Sequence, residues 1–278
     1  MTAYWHLTRP RIVALVLLAM AVSAWTAAES PSWPAIAHAL LGAALVIAGA
    51  IALNQRLECQ GDAKMARTAG RPLPAGRLSR RQVTRFGLAT TAVGLAYLAI
   101  AANAMLTALA AVGWLVYVGI YTPLKTRSAW QTPIGAAAGA MPVLLGAAAV
   151  GPPLSLWAIV LFGIVYFWQF PHSMAIAWRY RQEFSAAGVK VAVVTDPTGR
   201  VAGLWAVLGA AALLPISLSP LFFSLAGTIY AACAAVLGVA FLAFAVEFAR
   251  RRNDPAARRL LWASLIYLPA MFGVLIFR

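Results

Sequence analysis

Acidic residues are scarce in this sequence. Only seven Asp and Glu occur in 278 positions, and charged residues of both signs make up 10%, against about a quarter in an ordinary soluble domain. That shortage excludes a soluble globule with a solvated surface. No Asp, Glu, Lys or Arg falls in the middle of a long apolar run, and intramembrane ionisable groups usually mark proton or ion pathways, so an ion-coupled transporter is disfavoured. The two cysteines, Cys59 and Cys233, stand far apart in no ligand or redox spacing, which argues against a disulfide framework or a thiolate metal centre. Polar–apolar alternation is missing as well. The runs Val13–Ala28 and Phe222–Val246 are apolar on every side, which excludes the barrel solution to satisfying backbone groups in lipid and leaves helices.

What the chain has instead is apolar length: 63% of its residues are hydrophobic. Stretches run over 12–55, 86–124, 128–178 and 201–246, each about twice the roughly 20 residues of one crossing, with a shorter one at 260–277. Pro and Gly clusters mark an internal turn in three of them: 29–34, 151–153, and Pro215 through Pro220. In 86–124 only Asn103 marks one. Charge parity supplies the argument there, because basic segments flank 86–124 on both sides. Lys and Arg concentrate in cytoplasmic loops, so the crossings between two such segments are even in number. The expectation is an all-α polytopic membrane protein, one domain over 1–278, with nine transmembrane helices.

The N-terminus is then cytoplasmic, in a cell inner membrane, and the C-terminus external. The first apolar run, lacking a convincing cleavage site, reads as a membrane helix rather than a signal peptide. All basic residues but Arg278 and all acidic ones but Glu29 fall on the cytoplasmic side, which carries the whole net charge of +15. Confinement of that excess to short loops between apolar runs points to the lipid bilayer, not nucleic acid, as its partner.

The first cytoplasmic loop concentrates chemistry. Asn54, Glu58 and Asp62 lie at i, i+4 and i+8 where the second helix leaves the membrane. On a continuing helix they share a face, drifting about 40° per step over about 12 Å. Two carboxylates and an amide oxygen suit Mg²⁺, a hard cation that often bridges to substrate phosphates. Lys64, Arg67 and Arg71 follow, and guanidinium groups bind phosphate oxygens bidentately. An ordinary basic loop with balancing acids would look similar, so both readings stay open on residues alone. Tyr121 and Lys125, also i, i+4, could face an anion at headgroup depth or serve as an interfacial aromatic beside a snorkelling cation. In Trp168-Gln-Phe-Pro171-His172, with Arg179 and Glu183 beyond, His172, Arg179 and Glu183 share a face if the helix is continuous. Pro171 implies a kink that could open a cavity. The run Arg250–Arg252 with Arg258 and Arg259 reads as topology and lipid contact.

Together these segments resemble the UbiA superfamily of intramembrane prenyltransferases, and within it the haem-farnesylating branch. The resemblance spans nearly the whole chain. It runs from Leu7-Thr-Arg-Pro-Arg-Ile12 through Asn54 to Gly76, Tyr121–Lys125, Gly135–Pro142 and Trp168–His172, to Arg259–Pro269. It implies nine helices around a cavity with acidic motifs on the cytoplasmic side. Mg²⁺ on Asn54, Glu58, Asp62 and Glu183 would bind the diphosphate of farnesyl diphosphate. Lys64, Arg67, Arg71 and Lys125, with Tyr121 beside them, would offset the charge of the leaving group. The acceptor would be haem B, oriented by His172, Arg179 and Glu183, and the product haem O. A haem A synthase or other oxidase-assembly partner would fit such a product. The sequence departs from the usual pattern with Glu58 for the commoner Asp, Gln60 for a further Asp, and Glu183-Phe184 for Asp-Tyr. Prenylation of a quinone or chlorophyll precursor, and a non-catalytic haem-binding assembly role, are the alternatives.

Overall fold

The computed structural model describes residues 2–28 and 30–276, so the two charged residues expected on the outer face, Glu29 and Arg278, lie outside the described residues. Among the described residues nine helices are long and apolar enough to cross a membrane: α1 Pro10–Ala27, α2 Trp33–Asp62, α3 Arg80–Ala101, α4 Ala104–Leu124, α5 Gln131–Val150, α6 Leu156–Arg179, α7 Arg200–Phe222, α8 Thr228–Arg251 and α9 Asp254–Leu275. No strand occurs among them. Outward-facing apolar side chains such as Ile100 (87% exposed) and Ile229 (81%) give the bundle a lipid-facing surface. The protein is a multi-pass membrane protein, with these nine long apolar helices among the described residues.

Turn chemistry ends most hairpins where the sequence does. Asn103, the only marker of the α3–α4 turn, accepts from Leu106 N and donates from Nδ2 to Ala148 O, both at 2.8 Å. It thus caps α4 and ties the turn to α5. Ser79 and Gln82 form a capping box at the start of α3. The expected turn at Pro215–Pro220 is corrected: both prolines lie inside α7, and the chain turns after Phe222. Pro220 cannot donate to the carbonyl of Ile216, but Ser219 Oγ does so at 2.8 Å. A hydroxyl replaces the missing N–H, a substitution that membrane helices tolerate.

The core has two main parts. α1 to α5 pack around Met20, Val46, Leu98, Leu106 and Leu145, while α6 to α9 pack around Ile164, Leu213, Phe241, Phe248 and Tyr267. α2 and α3 approach closely because glycines face each other; a methyl on Gly49 would meet Gly87 O at 2.6 Å. α2 is the longest helix, 30 residues or about 45 Å, so its last turns overshoot the apolar layer and carry Asn54, Glu58 and Asp62 to one end of the bundle. α4 winds as a π-helix over Leu115–Tyr121 before Pro123. Such segments recur at functional sites, and this one brings the rings of Tyr117 and Tyr121 to 5.6 Å.

Candidate active site

Where the two halves meet, a cavity of about 680 Å³ opens, walled by the ends of α2, α4, α5 and α6 and by the loops beyond them. Asn54, Glu58, Asp62, Lys64, Arg67, Arg71, Tyr121 and Lys125 all line it, as does Gln60. The continuing helix expected for the three oxygen donors of α2 is present through Asp62.

The charges of this cavity are paired across it. Lys125 Nζ lies 2.5 Å from Glu58 Oε1 and 4.5 Å from the centroid of the Tyr121 ring. Burial opposes its charge, but Tyr121 and Glu58 raise its pKa above the ordinary lysine value. Arg71 Nη1 contacts Asp62 Oδ2 at 2.5 Å, with the Asp62 side chain 1% exposed. The second oxygen, Asp62 Oδ1, is buried without a hydrogen-bond partner. Asn54 Nδ2 donates to Thr122 Oγ1 at 3.0 Å, and that hydroxyl donates to Tyr117 O at 2.7 Å. The Asn54 amide nitrogen is thereby committed, leaving its carbonyl oxygen for a cation. A donor set of amide oxygen and carboxylates, one oxygen orphaned, fits Mg²⁺.

Other cations of the lining, Lys64, Arg67, Arg127 and Arg9, stand outside these pairs. Arg9 lines the cavity and has no ion-pair or hydrogen-bond partner for its guanidinium among the described residues. Its backbone is left-handed (φ 51°, ψ 62°), while its carbonyl accepts from Ile12 N at 2.9 Å and so starts α1. For a residue with a Cβ that conformation costs roughly 1–2 kcal/mol. Burial, then Arg71 and Arg67, lower its pKa from the ordinary arginine value. Arg67 itself lies over the Tyr180 ring, 5.3 Å from its centroid. Three guanidinium groups with one carboxylate partner among them make a receptor for a multiply charged anion.

The fold and the cavity leave open which family built them; comparison with known proteins decides it. The model of the UbiA prenyltransferase family matches residues 14–271. The chain belongs to that family. Curated relatives named protoheme IX farnesyltransferase include one from Solibacter usitatus, 37% identical with 99% of this chain and 98% of the relative covered. Another, from Opitutus terrae, is 40% identical over 98% of this chain and 93% of its own length. Among solved structures, a digeranylgeranylglyceryl phosphate synthase superposes with a TM-score of 0.81 at 15% identity, covering 99% of this chain and 97% of its own. A UbiA homolog from Archaeoglobus fulgidus bound to DMAPP and Mg²⁺ gives 0.66 at 17% identity, covering 98% and 99%. These likenesses establish the UbiA fold.

Within this UbiA chain the expectation of helix continuity beyond Pro171 needs correction. His172, Arg179 and Glu183 do not share one continuous helix. α6 stops at Arg179, Tyr180 leaves helical geometry (φ −110°, ψ 22°), and a separate turn of helix runs over Arg181–Ala186. Arg181 fixes the break by donating from Nη1 to the freed carbonyl of Trp178 at 2.7 Å. None of the three lines the cavity. His172 Nδ1 is 2.8 Å from Ser264 Oγ on α9, its ring stacked on Trp168. Arg179 lines a different cleft. Glu183 Oε2 accepts from Arg67 N at 3.4 Å, which ties the loop after α6 to the loop after α2. No group of three or more His, Cys, Asp or Glu that could hold a metal ion occurs among the described residues. Residues that sequence reasoning missed are Arg9, Thr122, Tyr117 and Gln169, all cavity-lining. Gln169 was in plain view inside the Trp-Gln-x-Pro-His segment. It donates to Ala136 O and Val165 O at 2.9 and 3.0 Å and occupies the space that Gly139 leaves open.

Proposed function

We propose that this chain converts haem B to haem O, transferring the farnesyl group of farnesyl diphosphate to a vinyl carbon of the porphyrin. The observation that carries the reading is the cavity itself: oxygen donors on α2 in close ion pairs with Lys125 and Arg71, further cations without a carboxylate partner beside them, and an interior walled by apolar helices. The names of the relatives, at 36–40% identity over nearly the whole chain, supply the acceptor.

Asn54, Glu58 and Asp62 would hold Mg²⁺, which when bound neutralises part of the diphosphate charge and so eases departure of that group. Lys125, Arg71, Arg67, Lys64 and Arg9 bind the diphosphate oxygens and stabilise the charge that grows as the C1–O bond breaks. The farnesyl chain lies toward the apolar depth, past Tyr117 and Tyr121, whose ring faces stabilise a developing allylic cation. Exclusion of bulk water protects that cation until the vinyl carbon attacks C1. One water then adds to the remaining vinyl carbon and releases a proton, which completes the hydroxyethylfarnesyl substituent. The site lies at the end of the bundle where basic loops collect, and by the positive-inside rule we place that end, with the N-terminus, in the cytoplasm of a bacterial-type inner membrane.

Haem extracted from cells expressing this chain with a farnesyl diphosphate supply tests the reading. A new haem of the mass of haem O, lost in Glu58→Ala and Asp62→Ala variants, is expected. Unchanged haem B together with prenylation of an added quinone precursor would overturn the acceptor assignment.

A further inference from the structure

A second cleft lies on the same membrane face as the cavity but outside it, between the end of α6 and the start of α9. It measures about 750 Å³ and is lined by Arg179, Asp254, Pro255, Arg258, Arg259 and Trp262. The four α9 residues at 255, 258, 259 and 262 follow i, i+3, i+4, i+7 and therefore form one stripe facing the α6 terminus.

The acids near this cleft are already committed. Asp254 Oδ1 accepts from Trp178 Nε1 at 2.9 Å and from Arg181 Nη1 at 2.8 Å. Glu247 on α8 takes Arg259 at 2.6 and 3.0 Å and Arg251 at 3.3 Å. Arg179 and Arg258, both exposed, have no ion-pair partner among the described residues, although Arg179 also lies 6.0 Å from the Tyr180 ring centroid. The cleft therefore presents two guanidinium groups without ion pairs, whose neighbouring carboxylates are engaged with other side chains. One turn deeper along the same stripe, about 6 Å from Arg258, Trp262 is 58% exposed. Guanidinium groups at headgroup depth with an indole at the acyl boundary match a phosphate joined to a hydrocarbon body, and basic pockets between membrane helices hold anionic headgroups.

We propose that this cleft is a binding site for one anionic phospholipid, its phosphate between Arg179 and Arg258 and its acyl chains along Trp262. The site is separate from the reaction cavity. Its occupant also closes the gap between α6 and α9, two helices otherwise joined at this end by the Trp178–Asp254–Arg181 contacts. The inference does not depend on the acceptor or on the reaction.

The full chain in a neutral detergent is titrated with phosphatidylglycerol or with phosphatidylcholine of the same acyl chains, reading bound lipid by native mass spectrometry and Tm by thermal unfolding. Phosphatidylglycerol is expected to remain bound singly and, at about 100 times its Kd, to raise Tm by several degrees more than phosphatidylcholine. The R179Q/R258Q double variant should weaken phosphatidylglycerol about 30-fold with phosphatidylcholine unchanged. Should the double variant fail to fold, R258Q alone should weaken it about fivefold, since Arg258 makes no ion pair here. Equal binding of the two lipids, or an undiminished phosphatidylglycerol effect in the folded variants, overturns the proposal. So does an equal Tm rise with glycerol 3-phosphate, which would show that the cleft recognises a free phosphate rather than a lipid.

Discussion

Removing Arg71 should unmask the cation-binding capacity of Asp62. In the folded chain the Asp62 side chain is 1% exposed, one oxygen facing Arg71 at 2.5 Å and the other without a partner. In an R71A variant the carboxylate stays buried but loses its counter-charge. Breaking a buried pair by removing one member costs about 3–5 kcal/mol, and the 14% exposure of Arg71 puts the expected loss near the lower end, about 3 kcal/mol. With roughly 2–4 °C per kcal/mol for a chain of this size, Tm should fall by about 6–12 °C. The informative part is the rescue. If Asp62 is a Mg²⁺ ligand, adding Mg²⁺ should restore several of those degrees in R71A and raise wild-type Tm far less, because Arg71 competes for the carboxylate only in the wild type. Thermal unfolding of both proteins across a Mg²⁺ titration, with Ca²⁺ and high NaCl as controls, measures this without any turnover. A deficit that Mg²⁺ leaves equal in both proteins would refute Asp62 as a ligand and return it to a purely structural role.

Other expected outcomes concern the walls of the cavity. R9Q should raise KM for the prenyl diphosphate about tenfold with little loss of Tm, since Arg9 makes no internal pair and its removal also relieves crowding with Arg71 and Arg67; steady-state kinetics check it. G139A should lower kcat/KM more than it lowers Tm, because the new methyl displaces the Gln169 amide that Gly139 accommodates; enzymology beside thermal unfolding separates the two. The Lys125–Glu58 pair sets a pH dependence. The folded pKa of Lys125 is raised, so its contribution is fully present below the unfolded value of about 10.4 and is lost only as pH rises through the higher folded value. The difference in Tm between wild type and K125M should therefore stay constant up to about pH 10; a difference already shrinking near pH 8 would count against the pairing.

Most of the fold was legible because hydropathy and charge placement act over tens of residues. The crossings, their parity and the α2 extension carrying Asn54, Glu58 and Asp62 follow from run lengths and helical spacing alone. Asn103 could be read as a turn because an amide side chain caps a helix in any context. What escaped was decided locally or by distant partners. Pro215 and Pro220 look like breakers, yet α7 continues since Ser219 supplies the missing donor to Ile216. The helix through His172 stops at Tyr180 because Arg181 reaches back to Trp178 and across to Asp254. The cross-cavity partners of Glu58 and Asp62 could not be assigned from spacing, though all four residues were in the candidate set. Arg9 escaped for a further reason: a left-handed arginine is a choice of backbone that no periodicity records.

The two cross-cavity pairs have a consequence for the empty protein. Glu58 with Lys125 and Asp62 with Arg71 hold both carboxylates of the mouth and two of its cations, while Arg9, Lys64, Arg67 and Arg127 leave it an excess of positive charge. Loading then becomes an exchange of partners. A divalent cation takes the carboxylates, and the lysine and arginine so released turn to the incoming diphosphate. Neither ion has an equal welcome alone, because each needs the other to free its hosts. Binding of cation and diphosphate should therefore be mutually reinforcing, each sharpening the affinity for the other by the same factor.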